Sequence, residues 1–261
     1  ARQAAHSPVV IIGVMPFRGA EVATLQETRL IIRAGIGFDM VDIEAATAAG
    51  ILVANVPDFC VDEVADHTMA LLLAAMRRLP QALTMWRDEH EWHVTSQLPT
   101  PRRLRGKRLG LIGLGRIGQQ VAARAAAFGM EIVGFDPMLP PGSHLEHITA
   151  VDLDEVLRTS DVISLHCPLT DATQHLMNAA SLTATKPGVV LVNTSRGGLV
   201  DLEALADAVA TGSVGVAALD VLDGEPTPDL DNPLLTHDNV IVTSHMAWFS
   251  LEAKHELAMN T

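Results

Sequence analysis

Residues Arg108 to Asp136, RLGLIGLGRIGQQVAARAAAFGMEIVGFD, restrict the fold more than any other part of the chain. An apolar run, Leu109 to Ile112, leads into Gly113, Gly115 and Gly118, spaced G-x-G-x-x-G. An Ala-rich helical segment follows as far as Phe128, and Gly129 stands where a helix C-cap belongs. A second apolar run, Ile132 to Phe135, ends in Asp136. Gly113 permits the tight strand-to-helix turn, Gly115 lets backbone approach a pyrophosphate, and Gly118 lets the helix pack close to the strand. The helix start, at Arg116 and Ile117, offers N–H groups and a positive dipole end to phosphates. Asp136 is placed to accept hydrogen bonds from both ribose hydroxyls and to repel a 2′-phosphate, which favours NAD over NADP. A bare G-x-G-x-x-G also marks ordinary turns. Here the strand before it, the helix after it and the acid at the next strand end make a dinucleotide site the better reading.

The 261 residues are enough for one large domain or two modest ones. Hydrophobic residues make up 48% of the chain and aromatics only 3%, with no Tyr, so the core is expected to be Ala, Val, Leu and Ile. A net charge of −13 argues against a nucleic-acid surface, which needs a basic patch. Cys60 and Cys167 form no disulfide framework and suit a reducing cytoplasm. No apolar run reaches membrane-span length, and the N-terminus lacks a signal-peptide pattern, so no membrane partner is expected. His90/His93 and His144/His147 bring no cysteine or acidic cluster with metal-ligand geometry. They read as loop or surface histidines, and no metal is expected.

Taken in order, Val9 to Val14 reads as a buried strand, Leu30 to Arg33 as a second and Ile51 to Ala54 as a third. Asp42 to Gly50 reads as a short helix with Asp42 as N-cap and Gly50 at C′. Val61 to Arg78 is a long helical segment following the break at Pro57 and Asp58. Gln81 to Arg105 reads as irregular and polar, with Trp86 and Trp92 inside it. Beyond Asp136 come a loop to Gly142, a helix over Asp152 to Ser160, strands at Asp161 to His166 and Val189 to Asn193, and a helix over Asp201 to Thr211. Further strands follow at Val214 to Leu219 and Val240 to Thr243. Strands alternating with helices imply an α/β fold with a parallel sheet covered on both faces. Arg108 to Thr243 supplies about six strands, a complete doubly wound sheet. The first region offers only three, and the chain stops partway into a helical pattern, so terminal pieces are expected to be missing.

Four stretches lie at C-terminal ends of strands, where an open α/β sheet binds its ligands. They are Arg33 to Gly37, Asn193 to Gly198, Asp220 to Pro226 and Thr243 to Ser250. With RAGIGFDMVD, GLGRIG, HCPLT, NTSRGGLVD, ALDV and the His245 motif in this order and spacing, the chain from Val9 to Thr261 resembles the D-isomer-specific 2-hydroxyacid dehydrogenases. Asn55-Val56-Pro57, Phe135-Asp136-Pro137 and Trp248 three residues after His245 resemble the C-terminal-binding-protein branch.

The resemblance implies an NAD-dependent enzyme. His245 protonates the carbonyl of a 2-oxo acid, Glu225 holds its other ring nitrogen, and Arg196 binds the substrate carboxylate. Gly35, Ile36 and Gly37 hold the same carboxylate through backbone N–H groups, with Arg33 as a second cation, and Trp248 lines a pocket for an apolar tail. Gly113, Gly115, Arg116, Ile117, Gly118 and Asp136 bind the cofactor. Cys167, Thr194 and Asp220 line its nicotinamide side, and Thr68 touches a phosphate. Glu225 argues against formate oxidation, since formate dehydrogenases pair the histidine with a glutamine. Met40 and Ser244 replace the frequent Asn and Pro of the family pattern without removing a catalytic group.

The implied organisation is a flavodoxin-like substrate domain over 1–64, an NAD domain over 65–249 and a return from 250 to 261. A cleft lies between the domains, and their closure excludes water. The chain is expected to be a cytoplasmic homodimer built through the NAD domain, with Gln81 to Arg105 as the arm and Trp86 and Trp92 as anchors. One rival is phosphoglycerate dehydrogenase-type activity, with Arg33 and the cluster Arg102, Arg103 and Arg105 as a phosphate site. The plainer reading of that cluster is a solvated linker. Another rival is an NAD(H)-sensing, corepressor-like binding protein.

Overall fold

The computed structural model describes residues 5–90, 92 and 98–261; the expectation for His93, and that for most of the stretch after His90, lies outside them. The chain divides into two compact units, residues 1–60 with 249–261, and residues 61–248.

In the first unit, β1 (Val9–Ile12), α1 (Gly19–Val22), β2 (Leu30–Arg33), α2 (Ile43–Ala48) and β3 (Leu52–Asn55) form a three-stranded parallel sheet with two short helices. Asp42 caps α2 by accepting the Ala45 N–H at 2.8 Å, the local bond that makes Asp a helix starter. Val10, Ile12 and Ile31 pack with Val22 of α1 and Ala46 of α2. The expected buried strand Val9 to Val14 is shorter and buried on one side only. Side chains alternate across a strand, and the helices cover one face. On the other, Val9, Ile11 and Leu52 are 43%, 59% and 73% exposed.

The second unit opens with α3 (Val61–Arg77) and α4 (Leu79–Glu89). The expected irregular stretch from Gln81 is therefore helical as far as Glu89. Arg78 takes a left-handed conformation that separates the two helices. Pro80 falls in the first turn of α4, where its missing N–H costs nothing. Then come β4 (Arg108–Ile112), α5 (Arg116–Ala127), β5 (Glu131–Phe135), β6 (His144–Leu145), β7 (Ile148–Ala150), α6 (Leu153–Thr159), β8 (Val162–Leu165), α7 (Ala179–Thr183), β9 (Val189–Asn193), α8 (Leu202–Ala210), β10 (Val214–Leu219) and β11 (Val240–Val242).

These eight strands form one sheet in the order β11-β10-β9-β8-β4-β5-β7-β6, parallel except for β6. The six expected strands are joined by the β6–β7 hairpin. Central strands read as continuous apolar runs because both faces are covered. Leu109, Leu111, Val190 and Val192 join one core with α3 and α5. Ile112, Ile163, Leu165 and Leu191 join the other with Val156 of α6 and Leu205 of α8. In the α3–α5 layer, Arg124 of α5 bonds Asp66 at 2.6 Å and Asp62 at 2.7 Å on α3. After β11 the chain returns to the first unit as α9 (Leu251–Asn260), capped by Ser250.

The arginine cluster sits at the start of the strands. Arg102 donates its N–H to Met76 O and its guanidinium to Gly188 O, just before β9, and Arg105 lies against Gly129, just before β5. The strands are parallel, so this edge is a strand length, on the order of 15 Å, from the exits that carry the expected site.

Candidate active site

The site is built on the carboxyl ends of β4, β5, β8, β9, β10 and β11. β4 lies between β5 and β8, so the chain runs outward in opposite directions from it, the switch point at which open α/β sheets leave a crevice. The glycine turn is packed to its limit. A Cβ on Gly113, whose φ is +97°, would fall 2.6 Å from the backbone of His166 and Cys167, and one on Gly118 would fall 2.4 Å from Gly113 O. At Gly115 there is open space, with nothing within 4 Å of a Cβ. Gly115 is also the N-cap of α5, and no side chain caps that helix. The Asp136 carboxylate accepts Leu114 N–H and Met138 N–H, both at 3.0 Å. A carboxylate has about four acceptor positions, so it retains capacity for hydroxyl donors. An open backbone cradle at an uncapped helix start, with an acid at the next strand end, fits a dinucleotide.

At the far side of the crevice, His245 Nδ1 bonds Glu225 Oε2, while Glu225 Oε1 accepts Leu222 N–H at 2.9 Å. Glu225 is thereby fixed between the ring and its own turn, and the His245 Nε2 edge faces away from it. His245 has a φ of +52°, and its N–H is shared between Asp220 O and Thr243 O, each at 2.7 Å. Arg196 leaves β9 on a loop organised by buried Asn193, whose side chain donates to Arg196 O at 2.8 Å and accepts Ser195 N–H at 3.0 Å. Ser195 Oγ donates to Cys167 O at 2.7 Å. Gly197 presses on the next loop, where a Cβ would fall 2.0 Å from Leu222 C. The loops bearing Arg196 and Glu225 are therefore in direct backbone contact.

Asp220 was expected beside the nicotinamide. It is 2% exposed, and its carboxylate is spent on the His245 loop, accepting Thr243 Oγ1 at 2.6 Å, Ala247 N–H at 2.9 Å and Met246 N–H at 3.0 Å. His67 Nε2 lies 3.4 Å away. Burial alone would raise the Asp220 pKa. The bonds from His67, Thr243, Ala247 and Met246 outweigh it and hold the carboxyl below its ordinary value. Thr68 is fully buried, with its hydroxyl on Val64 O at 2.7 Å and Thr194 Oγ1 at 2.8 Å. Burial pushes the Cys167 thiol up to about 11, with Asp136 adding to the rise, so Cys167 is a neutral wall. Trp248, the last residue of this unit, is half-buried.

In the first unit, Arg33 is buried and its guanidinium turns back onto Ala34 O. Asn55 Nδ2 donates to Ile36 O at 2.7 Å, Val56 N–H to Gly35 O at 3.1 Å and Gly35 N–H to Arg33 O at 2.8 Å. The Gly35 N–H is thus used within the loop. Sequence reasoning passed over His67 and the ordering role of Asn193. Asn193 opens a stretch already singled out, whereas His67 has no local signal. Among the described residues, no group of three or more His, Cys, Asp or Glu side chains is placed to hold a metal ion.

A doubly wound sheet with this glycine turn at its switch point defines a dinucleotide-binding protein. The chain belongs to the D-isomer specific 2-hydroxyacid dehydrogenase family, whose NAD binding domain matches residues 69–247. It is 45% identical over 237 residues to a D-3-phosphoglycerate dehydrogenase of Mycobacterium bovis, covering 90% of this chain and 44% of that protein. It is 42% identical over 232 residues to a hydroxypyruvate reductase of Thermotoga maritima, covering 88% and 74%. Among solved structures, D-lactate dehydrogenase from Aquifex aeolicus, complexed with NAD and lactic acid, aligns with a TM-score of 0.90 at 29% identity, covering 99% and 81%. The chain therefore spans less than half the length of the phosphoglycerate dehydrogenase it matches. These relatives replace the expected C-terminal-binding-protein branch. Trp248 and Phe135-Asp136-Pro137 do not discriminate between branches here.

Proposed function

We propose that the protein is an NAD-dependent dehydrogenase that interconverts a small 2-hydroxy acid and its 2-oxo acid, of the phosphoglycerate dehydrogenase type. The observation that carries the reaction is the His245–Glu225 pair at the exits of β10 and β11, with Arg196 on the abutting loop. Arg196 binds the substrate carboxylate through its planar fork. His245, its tautomer set by Glu225, gives a proton from Nε2 to the carbonyl oxygen, or takes one from the hydroxyl in the reverse direction. NAD(H), held by the Gly113–Gly118 turn and Asp136, supplies the hydride chemistry. Gly115, Arg116 and Ile117 would hold the pyrophosphate, and Cys167 and Thr194 would line the nicotinamide side. Ile36 and Gly37 are assigned to carboxylate binding and Trp248 to the substrate side chain.

We assign the NAD-binding role to residues 65–249 and the substrate-binding role to residues 1–64, with 250–261 as the return. A homodimer is proposed on the exposed, edge-to-face pair Trp86 and Trp92, whose rings are 5.8 Å apart. Aromatic side chains of this kind anchor interfaces. A cytoplasmic site is proposed on the low cysteine content, Cys60 and Cys167 being the two in the sequence.

Identity to the mycobacterial enzyme favours a phosphorylated substrate. A second reading, hydroxypyruvate reduction, is favoured by the placement of Arg102 and Arg105 on the opposite edge of the sheet. NADH oxidation with 3-phosphohydroxypyruvate, hydroxypyruvate, glyoxylate and pyruvate separates the two by kcat/KM. His245→Gln should lower turnover at least about 100-fold, the low end of general acid catalysis. Full activity in that variant, or none in the wild type on any 2-oxo acid, would sink the dehydrogenase reading.

A further inference from the structure

α3 places consecutive side chains under two strand exits. Thr68 Oγ1 meets Thr194 Oγ1 at 2.8 Å, two residues before Arg196. His67 Nε2 meets Thr243 Oγ1 at 2.9 Å, two residues before His245. The second bond continues inward. Thr243 Oγ1 lies 2.6 Å from Asp220 Oδ1 and donates its proton there, because a carboxylate held ionised by its surroundings only accepts. The Thr243 oxygen must then accept, so His67 donates from Nε2. The series runs from the His67 N–H through the Thr243 hydroxyl to the Asp220 carboxylate. That carboxylate in turn receives the N–H groups of Met246 and Ala247, on the far side of His245. His245 is thus bracketed on both sides by atoms bonded to one buried carboxylate, and its own N–H bonds Asp220 O.

We propose that His67 is a positioning residue for His245. By holding Thr243 and Asp220 in register, it fixes the left-handed turn from which His245 reaches Glu225, without touching substrate itself. The side chain of His67 is only 18% exposed and that of Asp220 only 1%, so water is a poor substitute donor. Loss of the His67 donor leaves the Thr243 oxygen without the N–H it accepts and removes one of the bonds that keep Asp220 ionised. The effect on turnover rests on the dehydrogenase reading; the effect on the His245 loop does not.

The test uses the full chain with His67→Leu, His67→Gln (whose amide nitrogen reaches the Nε2 position) and Thr243→Val. Three readouts are taken: kcat and KM with hydroxypyruvate and 3-phosphohydroxypyruvate, the ring carbon–proton NMR signal of His245 without cofactor, and the melting temperature. His67→Leu is expected to lower kcat about 10- to 100-fold, the cost of misplacing a reacting group by up to an ångström, with the KM for NADH within about twofold. The His245 signal should move in the same variant. His67→Gln should return both readouts toward wild type. Adding Thr243→Val to His67→Leu should cost little more than either change alone, because both break one series. An unmoved His245 signal with kcat within about twofold of wild type in His67→Leu would overturn the proposal. So would a His67→Gln variant as impaired as His67→Leu. If the wild type turns over no 2-oxo acid, the dehydrogenase reading fails, and the NMR comparison still decides the coupling of His67 to His245.

Discussion

His166 leaves β8 with its ring turned back onto Ser164 Oγ at 2.9 Å, and burial lowers its pKa from 6.5 to about 4. The unfolded chain therefore takes up this proton first as the solution is acidified. The stabilisation is complete above about pH 6.5 and is lost progressively as pH falls toward 4. Asp220 and Asp161 are also held below their ordinary value of 3.8, so their contributions survive until the pH falls further. Thermal unfolding between pH 7 and 4.5 should show the loss, and His166→Asn, which keeps a partner for Ser164, should flatten it. An unchanged pH slope in that variant would assign the acid sensitivity elsewhere. At this scale, residues with a local motif were legible: Gly113 and Gly118 are where backbone contact forbids a side chain, and Glu225 and His245 meet from the exits of adjacent strands. His67 was not legible. Its partner Thr243 is 176 positions away, and a helical pattern says which face a residue occupies without saying which loop comes to meet it.

Arg124 joins α5 to α3 through two carboxylates one turn apart, Asp62 and Asp66. Burial opposes the charge on Arg124, and the two aspartates outweigh it, raising its pKa. The aspartates are well exposed, so screening limits the benefit. Arg124→Ala should cost about 1 kcal/mol in urea unfolding at low salt and distinctly less at 1 M salt. A loss independent of salt would point to packing of the arginine stem. The helices and strands follow from apolar runs and, at α2 in the first unit, from the cap at Asp42. Two were lost for opposite reasons. α4 carries a Pro near its start and runs on into a polar stretch, so the segment as a whole reads as a loop. The β6–β7 hairpin is too short for any period to register.

Across the whole molecule the two sheets differ in cover. β8 and β9 are buried along their whole length, whereas β1 and β3 belong to a sheet with one bare face. Local opening follows buried contacts. Hydrogen exchange should therefore be slowest for the amides of β8 and β9 and fastest, among strands, for those of β1 and β3. Equal protection would mean that the bare face is covered in solution. The fold class was readable from alternating strands and helices, since only a parallel sheet with two helical layers absorbs that order. The one-sided burial of β1 was not, because an apolar run reads the same whether one face or both are covered.

Asp136 has a second employment that bears on cofactor engineering. Its carboxylate ties Leu114, inside the glycine turn, to Met138, beyond β5. On the proposed reading, the residue that discriminates against a 2′-phosphate is also a brace for the pyrophosphate loop. Replacing it to admit NADPH removes the repulsion and the brace together. Asp136→Ala should therefore weaken NADH binding without a matching gain for NADPH. Asp136→Asn, whose amide oxygen still accepts one of the two bonds, should retain more NADH affinity. Preference and loop order are inherited as one trait, and a shift to the other cofactor calls for a compensating change in the Leu114–Gly115 backbone.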